Sequence, residues 1–170
     1  MRAGSEEIGM VGCGGAIGLG YYKDEAKSAA TFRDIGGVRY SFPGDFAKIA
    51  ADGSLILLGR GSACINTGGE KVFPEEVEEA LKAHPDVFDC LVVGVPDERF
   101  GERVIAVAQS RPGRLIDEPR LIAFARERVA GYKLPRSVVL VDEARRAANG
   151  KADYPWAREV ARARSLPPAR

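Results

Sequence analysis

The 170 residues are 45% hydrophobic and 29% charged, the make-up of an ordinary water-soluble globular protein with room for one or two small domains. Lys and Arg total 25 against 24 Asp and Glu, so a net charge of +1 gives no broad electrostatic case for nucleic acid or an anionic membrane. Cys13, Cys64 and Cys90 are widely spaced and form no C-x-x-C, and His84 is the only histidine, which argues against a disulfide framework and a zinc site.

No run of about 18 apolar residues is present, and no basic-then-apolar leader opens the chain. The expectation is a cytoplasmic protein with no membrane span, no metal site and no nucleic-acid partner. The excess of positive charge sits between Arg158 and Arg170, where four Arg face only Glu159, and reads as a solvated chain end.

Residues 1–59 read as β-rich. Glu7 to Gly20 holds six glycines (GMVGCGGAIGLG within it). No strong strand precedes them and Tyr21-Tyr22-Lys23-Asp24 follows, which is not the strand–turn–helix setting of a dinucleotide fingerprint. Asp24 to Phe32 predicts a short helix with Ala26, Ala29 and Ala30 as its small face. Gly36-Gly37 predicts a hairpin turn between Thr31–Ile35 and Val38–Phe42. Asp52-Gly53 predicts a second, joining Phe46–Ala50 to Ser54–Leu58.

After Arg60 strands and helices alternate. Ile65 to Val72 reads as a small hairpin turning at Thr67-Gly68-Gly69-Glu70, where paired glycines allow positive φ. Pro74–Ala83 reads as a helix, with Pro74 in its first turn, Glu75 and Glu76 at its positive end, and Val77, Ala80 and Leu81 on one face. Val87–Val95 and Arg103–Gln109 read as strands, Asp117–Val129 as a helix, Ser137–Val141 as a short strand and Pro155–Ala163 as a last helix. Between the last strand and that helix a polar loop carries Lys151. This order predicts an α+β domain of two or three strands covered by helices.

Three motifs in sequence carry a family resemblance. GRGSACINTGGEKVFPEEVEEAL, from Gly59 to Leu81, resembles the segment joining the large and small domains of adenylate-forming enzymes, and is most similar to acyl-CoA synthetases. Tyr40-Ser41-Phe42-Pro43-Gly44-Asp45 resembles their Y-x-x-x-G-D element, and Asn149-Gly150-Lys151-Ala152-Asp153 their G-K-x-D element. GYYKDEAKSAATF, from Gly20, and Ala130-Gly131-Tyr132-Lys133-Leu134-Pro135 are similar to further family segments. The resemblance covers nearly the whole chain. It implies that residues 1–59 are the β-rich end of a large AMP-binding domain and 60–170 a small mobile C-terminal lid, a short mixed sheet covered by helices.

The reaction implied by the resemblance has two steps and uses ATP, Mg²⁺ and CoA. A carboxylic acid, fatty or bulky and hydrophobic, attacks the α-phosphate of ATP to give acyl-AMP and pyrophosphate. The CoA thiol then displaces AMP. Neither step needs a protein nucleophile, so orientation and electrostatics do the work.

By the same resemblance Lys151 is the catalytic lysine, its ammonium bridging substrate carboxylate and nucleotide. Asp45 accepts from the ribose hydroxyls, Arg60 contacts the nucleotide at the domain junction, and Lys71 reaches a phosphate. Gly68, Gly69 and Glu70 line the path of the CoA arm, and Ser62 stands at the hinge, where relatives often carry a charged residue. Plainer alternatives exist for each: a solvated lysine, a turn aspartate, a surface ion pair, a helix-ending glycine at Gly131. His84, beside Pro85 at a helix end, reads as structural or solvent-facing. Relatives often carry a proline just before the lysine loop; Ala147-Ala148 stand there here, which would loosen it.

The family's Ser/Thr/Gly-rich phosphate loop is not among these 170 residues, and neither is an acid-binding pocket. The chain alone is therefore expected to be inactive, and either to self-associate or to need a missing large domain. Two other classes remain: an adenylate-forming relative with another acceptor, such as a carrier-protein arm, and a non-catalytic module binding a nucleotide or partner.

Overall fold

The computed structural model describes residues 1–165, which fall into two compact units, one of Met1–Ser62 and one beginning at Ala63.

In the first unit, β1 (Gly9–Met10), β4 (Asp45–Ile49) and β5 (Leu55–Arg60) form an antiparallel sheet in the order β1-β4-β5. A helix, α1 (Glu25–Thr31), leads into the separate hairpin β2 (Phe32–Ile35) and β3 (Val38–Ser41). Both glycine turns form as the sequence predicts. Gly36 and Gly37 have φ of 60° and 80°, and at the β4–β5 turn Gly53 has φ 85° while Asp52 accepts from the Ser54 amide at 2.9 Å.

Asp24 caps α1 by accepting from the Lys27 amide at 2.9 Å. No residue of α1 is buried, so the expected Ala26–Ala29–Ala30 face is not a packing face within this unit. The glycine-rich stretch before it holds only β1 and an isolated bridge from Cys13 to Ser41, with no strand running into α1.

A short 3₁₀ turn, Gly61–Ala63, spans the boundary at which the second unit begins. The hairpin β6 (Ile65–Thr67) and β7 (Glu70–Val72) follows, then α2 (Pro74–Lys82), β8 (Val87–Asp97), β9 (Gly101–Ser110), α3 (Glu118–Arg126), β10 (Ser137–Val141) and α4 (Tyr154–Ser165). β9 is central. It pairs antiparallel with β8 along its length, parallel with β10 from Ile105 to Gln109, and with β6 at Gly101.

The period of two along β8 and β9 explains why both read as continuous apolar runs. Cys90, Val92, Val104, Ala106 and Ala108 face one core with Val77, Leu81, Leu121 and Ala125 of α2 and α3. Leu91, Val93, Val95, Ile105 and Val107 face another with Ala157 and Ala161 of α4. Both faces of the sheet are thus covered, in the α+β architecture expected, but the sheet has five strands rather than two or three because the β6–β7 hairpin joins it at Gly101.

Several boundaries differ by one or more residues from the sequence reading. β8 continues through Pro96 to Asp97, with a register shift between Val87 and Asp89 that leaves Phe88 exposed. α3 stops at Arg126, yet Val129 is still buried. Gly131 does not end a helix in the left-handed region; it starts a 3₁₀ turn, Gly131–Lys133. The basic stretch from Arg158 lies on α4 as far as Arg164, and Arg170 is outside the described residues.

Candidate functional site

In the first unit the antiparallel register makes Asp45, which opens β4, the direct partner of Arg60, which closes β5. Arg60 Nε donates to Asp45 Oδ1 at 3.2 Å. Two glycines shape this corner. Gly44, at φ 93°, turns the chain into β4, and its carbonyl accepts from the Gly61 amide at 3.0 Å. A Cβ on Gly61 would stand 2.5 Å from the Phe46 ring, so no larger residue fits without displacement. Ser62, the proposed hinge, is exposed in the 3₁₀ turn that follows.

In the second unit Gly68, Gly69, Glu70 and Lys71 share the β6–β7 hairpin. Gly68 and Gly69 have φ of 60° and 87°, the conformation that a two-residue hairpin turn requires. The hairpin is fastened to the β8–β9 turn: the Gly68 amide donates to Phe100 O and the Asn66 amide to Glu102 Oε2, each at 2.8 Å. Nothing lies within 4 Å of a Cβ built on Gly69, so positive φ rather than close contact calls for glycine there. Glu70 and Lys71 are exposed, with Lys71 opposite Asn66.

Lys151 stands on a separate loop, between β10 and α4. The loop is a closed turn that runs through Ala147-Ala148. Ala147 N donates to Lys151 O and Gly150 N to Ala147 O, both at 2.8 Å, while Lys151 N donates to Asn149 Oδ1 at 3.1 Å. Gly150, at φ 78°, allows the reversal. At its base Arg146 grips Asp89 of β8 through two bonds, Nε to Oδ2 at 2.6 Å and Nη2 to Oδ1 at 2.7 Å. Burial alone would raise the Asp89 carboxyl; the bonds from Arg146 and the Cys90 amide outweigh it and hold the group below its ordinary value.

Three charged arrangements escaped the sequence reading. Glu78 of α2 is 4% exposed, and its Oε1 accepts from the Val92 amide at 2.8 Å. Burial pushes its carboxyl up to about 7, and Tyr154, whose hydroxyl burial raises as well, hydrogen-bonds to it. Lys133 Nζ donates to both oxygens of Glu76, at 2.6 and 2.7 Å, with its side chain 8% exposed. The third is the Arg146–Asp89 pair. A signal existed for Glu78 alone: it lies four residues after Pro74 and three before Leu81, on the buried stripe.

Neither Cys64 nor Cys90 is a ready nucleophile. Burial raises the Cys64 and Cys90 thiols, which keeps them protonated. His84 packs edge-on against Phe124, ring centroids 4.9 Å apart, and its Nδ1 accepts from the Asp86 amide at 3.3 Å. Among the described residues no group of three or more His, Cys, Asp or Glu side chains is arranged to hold a metal ion. No helix among them is long and apolar enough to cross a membrane.

Comparison with known proteins gives one consistent likeness. Residues 76–151 match the AMP-binding enzyme C-terminal domain family. Over 159 residues the chain is 60% identical to 3-oxocholest-4-en-26-oate–CoA ligase of Rhodococcus rhodochrous, which covers 94% of this chain and 29% of that protein. It is 56% identical over 164 residues to the medium/long-chain-fatty-acid–CoA/3-oxocholest-4-en-26-oate–CoA ligase of Mycobacterium tuberculosis (strain CDC 1551 / Oshkosh), 96% of this chain and 30% of that one. The crystal structure of ATP-bound MatB from Rhodopseudomonas palustris superposes with a TM-score of 0.79 at 33% identity, over 95% of this chain and 31% of that one. The chain thus spans about 30% of the length of the curated relatives it matches.

Proposed function

We propose, from the match of residues 76–151 to the AMP-binding enzyme C-terminal domain family, that this chain is the C-terminal part of an ATP-dependent acyl-CoA synthetase. The enzyme activates a fatty or bulky hydrophobic carboxylic acid as acyl-AMP and passes the acyl group to CoA. The observation that carries this reading is the 60% identity to a steroid-acid CoA ligase across 94% of the chain.

In this reading Asp45 accepts from the ribose hydroxyls through a carboxylate that Arg60 holds in place, and Arg60 shares its charge with the nucleotide. Lys151 brings an ammonium to the carboxylate and phosphate oxygens as the acyl–phosphate bond forms. Lys71 reaches a phosphate, and Gly68, Gly69 and Glu70 border the pantetheine arm, where the open space at Gly69 supports close passage of a ligand. Ser62 is the hinge about which the second unit turns between the two steps. Mg²⁺ accompanies the ATP.

The phosphate loop and acid pocket belong to other sequence, so the 170 residues by themselves give no turnover. Exposure of Leu55, Ile56 and Leu57 on β5 supports a strand covered by further protein in the complete enzyme. Three free cysteines suit a reducing cytoplasm.

The test is a graft. This chain replaces the matching C-terminal segment of the Rhodococcus ligase, and ATP, Mg²⁺, CoA and a panel of carboxylic acids are supplied. Acyl-CoA and AMP are followed by mass spectrometry. Turnover by the graft, reduced about a hundred- to a thousand-fold by Lys151→Ala, is the expected result. A folded graft that makes no acyl-CoA, or one indifferent to Lys151→Ala, overturns the reading.

A further inference from the structure

We infer that Arg146 is a positioning residue for Lys151: it ties the backbone immediately before the lysine to β8 by gripping Asp89 and the Gly150 carbonyl at once. The inference rests on the reading of Lys151 as the catalytic lysine.

Lys151 is exposed, and a lysine side chain is long and freely rotating, so the reach of its ammonium depends on where its own backbone is held. That backbone ends a turn of five residues, 147–151, closed by its own bonds but attached to the sheet through its base. Arg146 supplies the attachment with three nitrogens in a fixed fork. Nε and Nη2 take the two Asp89 oxygens at 2.6 and 2.7 Å, and Nη1 takes Gly150 O at 3.1 Å.

The far end of the clamp is rigid. Asp89 lies on β8, whose neighbours Cys90 and Leu91 are fully buried, and its Oδ1 also accepts from the Cys90 amide at 2.8 Å. A second anchor, from Ala144 N to Gln109 Oε1 at 3.0 Å, holds the start of the loop to β9. An isolated bridge between Arg146 and Ala152 brings the two ends of the turn together. Through Arg146 a charged side chain of the sheet, Asp89, and the residue before Lys151, Gly150, share one donor group. A lysine at 146 offers one nitrogen in place of the fork and serves at most one of the two acceptors well.

The test uses Arg146→Lys and Asp89→Asn, the second nearly isosteric and chosen to keep the fold. In this chain, hydrogen exchange is followed by mass spectrometry on peptides covering 145–152 and 88–95. The expected result is exchange about ten-fold faster in 145–152 in both variants, with 88–95 unchanged, because hydrogen bonds to charged groups are among the stronger ones lost. In the ligase graft, Arg146→Lys is expected to lower kcat for acyl-AMP formation about ten-fold with KM for ATP within about two-fold, since a misplaced group weakens the transition state more than ground-state binding.

Unchanged exchange in the loop overturns the clamp. Faster exchange with unchanged kcat, in a graft that Lys151→Ala inactivates, overturns the positioning role while leaving the proposed function standing. A graft indifferent to Lys151→Ala removes the functional reading itself, and the inference with it.

Discussion

Glu78 Oε1 accepts a hydrogen bond from the backbone amide of Val92 at 2.8 Å, so a helix carboxyl closes part of the exposed edge of β8. Among the described residues β8 pairs only with β9, and its outward amides need partners. Cys90 N finds Asp89, Val92 N finds Glu78, and Pro96 has no amide hydrogen to satisfy. Two amides of this edge are thus taken by carboxylates, one of which is deeply buried.

That burial gives a pH dependence with a definite sign. The Glu78 carboxyl rises from the ordinary 4.5 to about 7 on folding. Between those values the folded state holds a proton that the unfolded chain has released, so stability falls as pH rises through the window. The loss approaches an order of 3 kcal/mol above pH 7. Glu78→Gln removes the titrating group and keeps an oxygen to accept from Val92 N. Urea unfolding of this chain should show the variant matching the parent near pH 5 and exceeding it at pH 8. Asp89, held low, acts in a separate window: its contribution is present above 3.8 and lost as pH falls below that. Equal slopes for parent and Glu78→Gln between pH 5 and 8 would refute the assignment.

The Lys133–Glu76 pair ties the start of α2 to the 3₁₀ turn at Gly131–Lys133, and its two ends are unequally buried, 8% and 26% exposed. Breaking a buried pair from one side costs about 3–5 kcal/mol, because it strands the other charge. The lysine is the more deeply buried, so Glu76→Gln should cost more than Lys133→Met. The double variant Glu76→Leu/Lys133→Met should recover much of the loss. Chemical denaturation of the single and double variants measures the coupling directly.

These two arrangements mark where sequence reading stops. The hairpins at Gly36-Gly37, Asp52-Gly53 and Gly68-Gly69 were legible because positive φ, at both turn positions or at Gly53 alone, selects glycine. The strands β8, β9 and β10 were legible from apolar runs bounded by breakers, and α2 from Pro74 and its periodicity. In the acidic run EEVEE the helical period puts Glu78 on the buried stripe, but the partners of Glu78 and Glu76 are set by tertiary packing. Arg146 and Asp89 are 57 residues apart, and their pairing depends on the register of β8 against the loop after β10. The candidate site was legible through motif likeness at Asp45, Arg60 and Lys151, and its supports were not.

At the Asp45–Arg60 pair, stability and function should separate. The side chains are 34% and 59% exposed, and pairs in such settings contribute roughly 0–1 kcal/mol. Arg60→Gln in this chain should therefore shift the urea midpoint little. In the ligase graft the same substitution should weaken nucleotide binding, read as a higher KM for ATP in acyl-AMP formation. A large loss of stability with unchanged KM would make the pair a structural bond of the β4–β5 sheet and nothing more.

The β6–β7 turn offers the cleanest separation of the two half-reactions. Gly69 has φ 87° and no atom within 4 Å of a built Cβ, so Gly69→Ala meets no clash and costs only backbone strain, about 1–2 kcal/mol. Its hairpin is anchored through Gly68 N and Asn66 N, and neither bond involves residue 69, so the fold should survive. If this turn borders the CoA arm, the added methyl and the altered turn should slow thioester formation from preformed acyl-AMP in the graft. Pyrophosphate release in the first step should keep its rate. Equal slowing of both steps would point to a general loss of the folded lid, and slowing of the first alone would move the turn from the CoA path to the nucleotide site.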